Sequence, residues 1–247
     1  MHLITSYISH CKQFENMSNT NVANCIFCQS KSECFKKLGH DELGLVDQSK
    51  VEISFKKKEI IAKQGVFASH VMYIKQGLVK LYLEGDSGHN DVIINFFPPG
   101  EIIGLSSVYG KSTFDFSVAA VEDSTLCLIE INVVRNLIQT NGEFASQLIR
   151  RINETTLFAY RLLYDMTNRQ MNGRIASALL HLAKDVFKSK RFKMTLSRKD
   201  LAEFTGMSTM SAIRVLNDLK SDGVISDTEG VIEILNLDAL EMISRTG

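Results

Sequence analysis

The 247-residue chain has no net charge at neutral pH: 28 Lys and Arg stand against 28 Asp and Glu. A zero balance excludes a molecule that is basic throughout, so any site for a polyanion has to be local. No apolar run reaches the ~18 residues that span a bilayer as a helix. The N-terminal stretch MHLITSYISHCKQF lacks the basic-then-apolar order of a secretory signal. These two absences lead us to expect a cytoplasmic protein with no membrane partner. Enzyme signatures are missing too. There is no phosphate loop of the G-x4-G-K-[S/T] kind, no nucleophile–base pair at a known motif spacing and no paired-carboxylate signature. Gly100 and Gly104 read as turn punctuation. The expectation is a protein that is not an enzyme, with a metal-dependent enzyme as the alternative of another class.

What is present is ordinary for a globular chain: 45% apolar and 23% charged residues. The length suits one large domain or two ordinary ones. The unusual feature is a cluster of cysteines in Asn24–Phe35, NCIFCQSKSECF, where Cys25, Cys28 and Cys34 are spaced C-x2-C-x5-C. A fourth candidate, Cys127, lies far downstream in STLCLIEI, and Cys11 stands apart and reads as a spare thiol. In a reducing compartment such cysteines act as ligands, redox groups or core fillers rather than disulfides. The spacing alone says metal or redox. Cys127 alone reads as a buried core cysteine.

Taken in order, residues 1–50 form a polar, cysteine-containing leader with five basic and five acidic residues. Residues 51–131 change texture, with short β-rich runs such as VEISF, VMYIKQG, LVKLYLEG, DVIINFF and TLCLIEI between glycines. Many short strands with glycine turns predict a β-sandwich or barrel. Gly85–Gly88 is a predicted hairpin tip and Pro98-Pro99-Gly100 a second turn. Residues 132–171 switch to helical period. Leu148, Ile152, Thr155, Ala159, Leu162 and Met166 recur at steps of four and three, a heptad seam expected to pair two copies of the chain.

Residues 172–247 read as a compact C-terminal unit. A helix is expected over Arg174–Phe187, followed by the basic connector KSKRFK. Ser197 and Asp200 match a capping box at the start of a short helix. Gly206 supplies a turn and Ser208 caps a second helix whose inner face is Ala212, Val215, Leu216 and Leu219. Two short helices on a glycine turn, followed by a hairpin around Ser226–Gly230, predict a winged helix-turn-helix. Between Lys184 and Arg214 there are eight basic residues against three acidic ones, which suits phosphate contact. Ser197, Arg198, Thr209, Met210, Ser211, Ile213 and Arg214 are the expected DNA-binding residues. Arg214 can bond bidentately to guanine, and Met210 or Ile213 can touch a thymine methyl.

The order of leader, glycine-rich β-barrel, long helix and winged helix-turn-helix resembles the CRP/FNR family of bacterial transcription regulators. The barrel carries Gly65, Tyr73-Ile74 before Gly77, Leu81-Tyr82, and Pro99-Gly100-Glu101 before Gly104. The cysteine leader with one distant cysteine at the end of the barrel is similar to the FNR branch. The resemblance implies an α+β architecture: a cyclic-nucleotide-binding-like jelly-roll barrel, a long dimerisation helix and a winged helix-turn-helix. It also implies a [4Fe–4S] cluster on Cys25, Cys28, Cys34 and Cys127, sensing oxygen, nitric oxide or redox state. The partners implied are a second copy of the chain, a palindromic double-stranded operator and RNA polymerase. Zinc on the same cysteines is a rival. So is a haem regulator of the same fold using His70, His89 or Met72, which leaves the cysteine spacing unexplained.

Two departures from the family carry expectations of their own. The cyclic-nucleotide branch holds ribose and phosphate with an acid just after the second glycine and a later arginine; Leu105 and Asp115 stand there, so cyclic AMP is not expected. FNR-type recognition helices carry a glutamate and a serine ahead of the arginine, where this chain has Met210 and Ile213. Methionine cannot accept from a cytosine amine, so the operator is expected to differ from the usual FNR box while keeping a guanine for Arg214.

Overall fold

In the computed structural model, residues 24–28, 31–86 and 90–247 are described. Cys11, His89 and the Ser87-Gly88 half of the predicted hairpin tip lie outside them. A 3-10 turn at Phe35–Lys37 leads into α1 (His40–Ser49). Eight strands follow: β1 (Lys50–Phe55), β2 (Ile60–Ala62), β3 (His70–Gln76), β4 (Val79–Leu83), β5 (Val92–Phe97), β6 (Ile102–Ile103), β7 (Ser117–Ala120) and β8 (Ser124–Glu130). A short helix, α2 (Ser106–Tyr109), sits between β6 and β7.

The strands form two antiparallel four-stranded sheets, ordered β1-β8-β3-β6 and β2-β7-β4-β5. Their inner faces share one core that includes Ile74, Leu126, Val79 and Val118. The jelly-roll expectation is therefore met as two facing sheets. Alternation of buried and exposed residues, the usual mark of a strand with one wet face, fails in two places. Val71 to Ile74 of β3 are all buried, because the leader covers the outer face of that sheet. All four residues of β7 are buried, because the C-terminal unit covers the other sheet. Gly77 closes the β3–β4 turn at φ +92°. A Cβ there would lie 2.6 Å from the Asp123 carbonyl oxygen, so no larger residue fits.

The helical region expected as one long element is split. α3 (Ile131–Thr140) ends at Asn141, and α4 (Gly142–Asn168) begins with Asn141 Oδ1 accepting the Phe144 N–H at 3.0 Å. The reason is local: an Asn that caps the next helix cannot also continue the previous one. α5 (Met171–His181) follows, and the predicted 174–187 helix finishes as a π-type turn over Leu182–Val186. The connector KSKRFK is not merely a linker: Arg191–Lys193 forms β9 and pairs with the wing.

The helix-turn-helix is α6 (Arg198–Thr205) and α7 (Thr209–Ser221), joined by Gly206 in the left-handed conformation at φ 62°. The Ser197–Asp200 capping box and the Ser208 cap both form. Ala212, Val215, Leu216 and Leu219 are buried as the inner face of α7. The wing is β10 (Ile225–Thr228) and β11 (Val231–Ile234), and α8 (Leu237–Thr246) closes the unit against the apolar side of α5. Leu78, Tyr82, Ile93 and Phe96 of the sandwich share a core with Leu201, Phe204 and Leu179 of this unit. Sandwich and helix-turn-helix unit are thus packed directly on each other.

Candidate cysteine centre and nucleic-acid interface

The cysteine segment is built as a tight turn. Asn24 Oδ1 accepts the Ile26 N–H at 2.8 Å and the Asn24 carbonyl accepts the Phe27 N–H at 3.1 Å. Asp47, in the last turn of α1, accepts the Cys25 N–H at 3.0 Å and fixes that turn to the fold. Cys127 sits on central strand β8, opposite Glu52 of β1 and Tyr73 of β3. Its neighbour Leu126 points into the sandwich, so Cys127 points outward, toward the leader. Cys25, Cys28 and Cys127 line one cavity of about 30 Å³, with an apolar floor from Phe35, Leu43, Val46 and Ile129.

Charge is arranged around this cavity. Lys31, Lys50 and Lys75 line it, as does Glu52. Lys75 is held by both Glu52 oxygens at 2.7 and 2.9 Å. Lys50 Nζ bonds Asp47 at 2.7 Å and the Cys25 sulfur at 3.2 Å. Burial pushes the Cys127 thiol up to about 11, with Glu52 adding to it. Burial also raises the Cys25 thiol against the opposing pull of Lys50, and raises Cys34.

Cys34 does not line that cavity. It is 1% exposed, next in the chain to cavity-lining Phe35, and feels Arg151 and Glu101. Among the described residues, no three Cys, His, Asp or Glu side chains converge closely enough to hold a single ion. Cys25, Cys28 and Cys127 thus share the lining of one cavity without converging on a single point, and Cys34 lies outside that lining.

The leader also grips the start of α4. Asn141 Nδ2 donates to the Lys37 carbonyl at 3.1 Å and to Glu42 at 2.9 Å. Phe35 lies 5.9 Å from Phe144 between ring centroids and 5.3 Å from Tyr73, edge-on. Lys37 pairs with Glu143 at 3.1 Å. These ties were not expected. Asn141-Gly142 carries a local signal for a helix boundary, but nothing local says that Lys37 is its partner.

Along α4 the residues of the predicted heptad divide between the chain's own cores and its surface. Leu148 is 2% exposed in the sandwich core, and Leu162 packs on the core of the C-terminal unit. Met166 fills the space beside Gly206. Ile152 and Thr155 are exposed and Ala159 is half-buried. The exposed apolar stripe runs through Ile149, Ile152, Tyr160 and Leu163, flanked by Leu157 and Tyr164. It shares Ile152 with the predicted seam, and Ile149, Tyr160 and Leu163 each follow a seam residue by one position, ~100° around the helix. The helix has two apolar faces, and its period alone does not say which one the chain covers with itself.

On the reading helix, Met210 is 75% exposed and Arg214 is exposed, its guanidinium 3.9 Å from the Met171 sulfur. Thr209, Ser211 and Ile213 are half-buried, and the Ser211 N–H is engaged by the Ser208 cap. Ser197 and Arg198 are committed to structure: Ser197 caps α6, and Arg198 pairs with Asp227 of the wing. At the positions expected to matter for a cyclic nucleotide, Leu105 precedes α2 and Asp115 pairs with Lys111 at 3.3 Å. His70 bonds Ser69, and Met72 is buried in the sandwich core.

A β-sandwich carried on a long helix to a winged helix-turn-helix, with a basic stretch at the reader, defines a DNA-binding transcription regulator. Residues 52–141 match the cyclic nucleotide-binding domain family and residues 173–243 the Crp-like helix-turn-helix domain family. The chain belongs to the CRP/FNR family of regulators. It is 25% identical over 196 residues to the transcriptional activator protein anr of Pseudomonas aeruginosa, covering 78% of this chain and 79% of that one. It is 22% identical over 210 residues to the anaerobic regulatory protein of Haemophilus influenzae, covering 83% and 80%. FixK2 from Bradyrhizobium japonicum superposes with a TM-score of 0.74 at 20% identity, over 80% of this chain and 98% of that one. Among the described residues, no helix is long and apolar enough to cross a membrane.

Proposed function

We propose that this regulator is governed by a [4Fe–4S] cluster on Cys25, Cys28, Cys34 and Cys127. The observation that carries the reading is the shared cavity of Cys25, Cys28 and Cys127, thiols from two distant parts of the chain. The donor set suits the group: thiolates are soft ligands for iron, and three lysines line the cavity against their negative charge. Cys34, beside cavity-lining Phe35 in the same short segment as Cys25 and Cys28, is the fourth thiol. Such a cluster, when bound, supplies a centre that oxygen or nitric oxide attacks. The name of the Haemophilus influenzae relative, anaerobic regulatory protein, agrees with this reading.

The rest is the work of the chain's own residues. With all four thiols engaged, the leader is clamped on sheet β1-β8-β3. The turn after Cys34 then holds Asn141 and Phe144, and so the start of α4. The outward stripe of Ile149, Ile152, Tyr160 and Leu163 receives the same stripe of a second copy. Two α7 helices then sit about one DNA turn apart, ~34–36 Å, on a palindromic operator. Arg214 reads guanine, and Met210 and Ile213 meet thymine methyls. A bias of a few kcal/mol between clamped and released leader suffices to switch occupancy. RNA polymerase is the further partner, in line with relatives named transcriptional activators, and the cytoplasm the compartment.

Anaerobically purified protein tests this by absorption, EPR, and iron and sulfide analysis, with operator affinity and mass measured before and after air. An iron–sulfur shoulder and weaker DNA binding after air are expected. A Soret band, zinc in place of iron, or equal operator affinity in both states overturns the reading.

A further inference from the structure

Lys50 occupies an unusual place. Its ammonium-bearing side chain is 2% exposed, a position costly for a cation unless paired. Asp47 supplies the pairing at 2.7 Å. Yet the same ammonium also reaches the Cys25 sulfur at 3.2 Å, while the Asp47 oxygen that holds it accepts the Cys25 N–H at 3.0 Å. Cys25 is thus gripped at both its backbone and its sulfur by one ion pair. That pair stands at the α1–β1 junction: Asp47 is in the last turn of α1 and Lys50 is the first residue of β1. Lys75, on the same cavity, is instead held by both oxygens of Glu52, and Lys31 is directed at the Ile26 carbonyl.

We propose that Lys50, set by Asp47, is the positioning residue of the cysteine centre: it holds the Cys25 sulfur at the cavity and donates a charge-assisted hydrogen bond to that sulfur when it ligates iron. The inference rests on the iron–sulfur reading above and deepens it. A thiolate ligand bonded by an N–H⁺ donor carries less excess charge, and donors of this kind fix ligand orientation and tune metal retention. Cys25 is the first cysteine of the triplet, so its placement sets where the other two can close. The bonds of Lys50 to Asp47 and to the Cys25 sulfur make it a determinant of how long iron is retained rather than of what is bound.

The test uses full-length protein reconstituted anaerobically with ferrous iron and sulfide. Iron loss to a ferrous chelator is followed by absorbance, without oxygen, for wild type, Lys50→Met and Lys50→Arg. Lys50→Met should lose iron about tenfold faster and shift the sulfur-to-iron charge-transfer band. Lys50→Arg keeps a cation and donors, and should stay close to wild type in both. Equal loss rates in Lys50→Met and wild type overturn the role of Lys50 and leave the cluster reading standing. Wild type that takes up no iron–sulfur absorbance overturns both. Melting of the metal-free variants by circular dichroism separates positioning from folding. If Lys50→Met does not fold, Asp47→Asn, which keeps Lys50 but removes the charge that sets it, should still raise the loss rate, and an unchanged rate overturns the proposal.

Discussion

One side chain of Asn141 caps α4 and holds the cysteine segment: its Oδ1 accepts the Phe144 N–H at 3.0 Å, and its Nδ2 donates to the Lys37 carbonyl at 3.1 Å. The long helix α4 and the turn that follows Cys34 therefore share an anchor. The two functions of the anchor can be separated. Asn141→Ala removes both and should cost about 1–2 kcal/mol from the lost cap alone, and more through the unpaired carbonyl. Asn141→Ser keeps a cap but cannot reach Lys37. Denaturant unfolding should rank wild type above Ser above Ala. Operator binding should lose its air sensitivity in both variants; air sensitivity unchanged in Asn141→Ser would show that the leader acts on α4 by another route.

Between sandwich and reader, Lys80 of β4 bonds Asp200 of α6 at 2.7 Å and lies 3.6 Å from Glu203, whose side chain is 3% exposed. Lys80→Met leaves half-buried Asp200 with only its Ser197 partners and buried Glu203 with only Lys199, and should destabilise the protein by about 2 kcal/mol. The pair Lys80→Met with Asp200→Asn should cost less than the single change. A double-mutant cycle on urea midpoints reads this coupling.

The same pair sets a pH window. Burial works against the Asp200 charge, but Lys80 and Ser197 outweigh it, so its carboxyl is held below the usual range. Its contribution is present above the unfolded carboxylate value of about 3.9 and is lost as pH falls through the lower folded value. Burial likewise opposes the Lys80 charge, and Asp200 outweighs it, so Lys80 is raised. Its contribution is present below the unfolded value of about 10.4 and fades as pH rises through the higher folded one. Stability measured against pH should fall off at both ends, and the acid limb should flatten in Asp200→Asn.

The two apolar faces of α4 predict opposite outcomes. Leu148→Ala opens a cavity in the sandwich core and should cost about 2–5 kcal/mol. Tyr160→Glu and Leu163→Glu, on the outer stripe, should leave the melting of the monomer nearly unchanged while abolishing the dimer in sedimentation. A dimer that survives both charge substitutions would remove this stripe from the interface.

At the reading helix, Arg214→Ala should cost about 1–3 kcal/mol on the preferred operator and relax selectivity at one guanine position. Arg198→Ala should act differently. It frees the half-buried Asp227 carboxylate of the wing and should weaken binding across all sequences. Binding selection on random DNA with both variants distinguishes a base contact from a wing brace.

Local chemistry was legible in the sequence wherever it is carried by neighbours in the chain. The Ser197–Asp200 box, the Gly206 turn, the inner face of α7 and the β-rich texture of 51–131 depend on steps of one to four residues. Caps, turns and periods act over that range. The C-x2-C-x5-C triplet was legible for the same reason. What period could not supply was direction. The α4 pattern named apolar residues on two faces, and only packing decided that Leu148 and Leu162 turn inward while Tyr160 and Leu163 turn out. KSKRFK looked like a linker because its pairing partner, β11, lies forty residues on.

The sequence by itself determined which sulfurs and which reader the chain possesses, because composition and short spacing encode ligands, caps and turns. Only the tertiary structure decided how they are joined. Lys50 and Asp47 at Cys25, the Lys37 carbonyl at Asn141, and Lys80 at Asp200 are side-chain contacts, some to side chains and some to backbone, that the folded sheets and helices bring together. Burial gives those contacts their strength, and burial is a property of the whole fold rather than of any stretch of it.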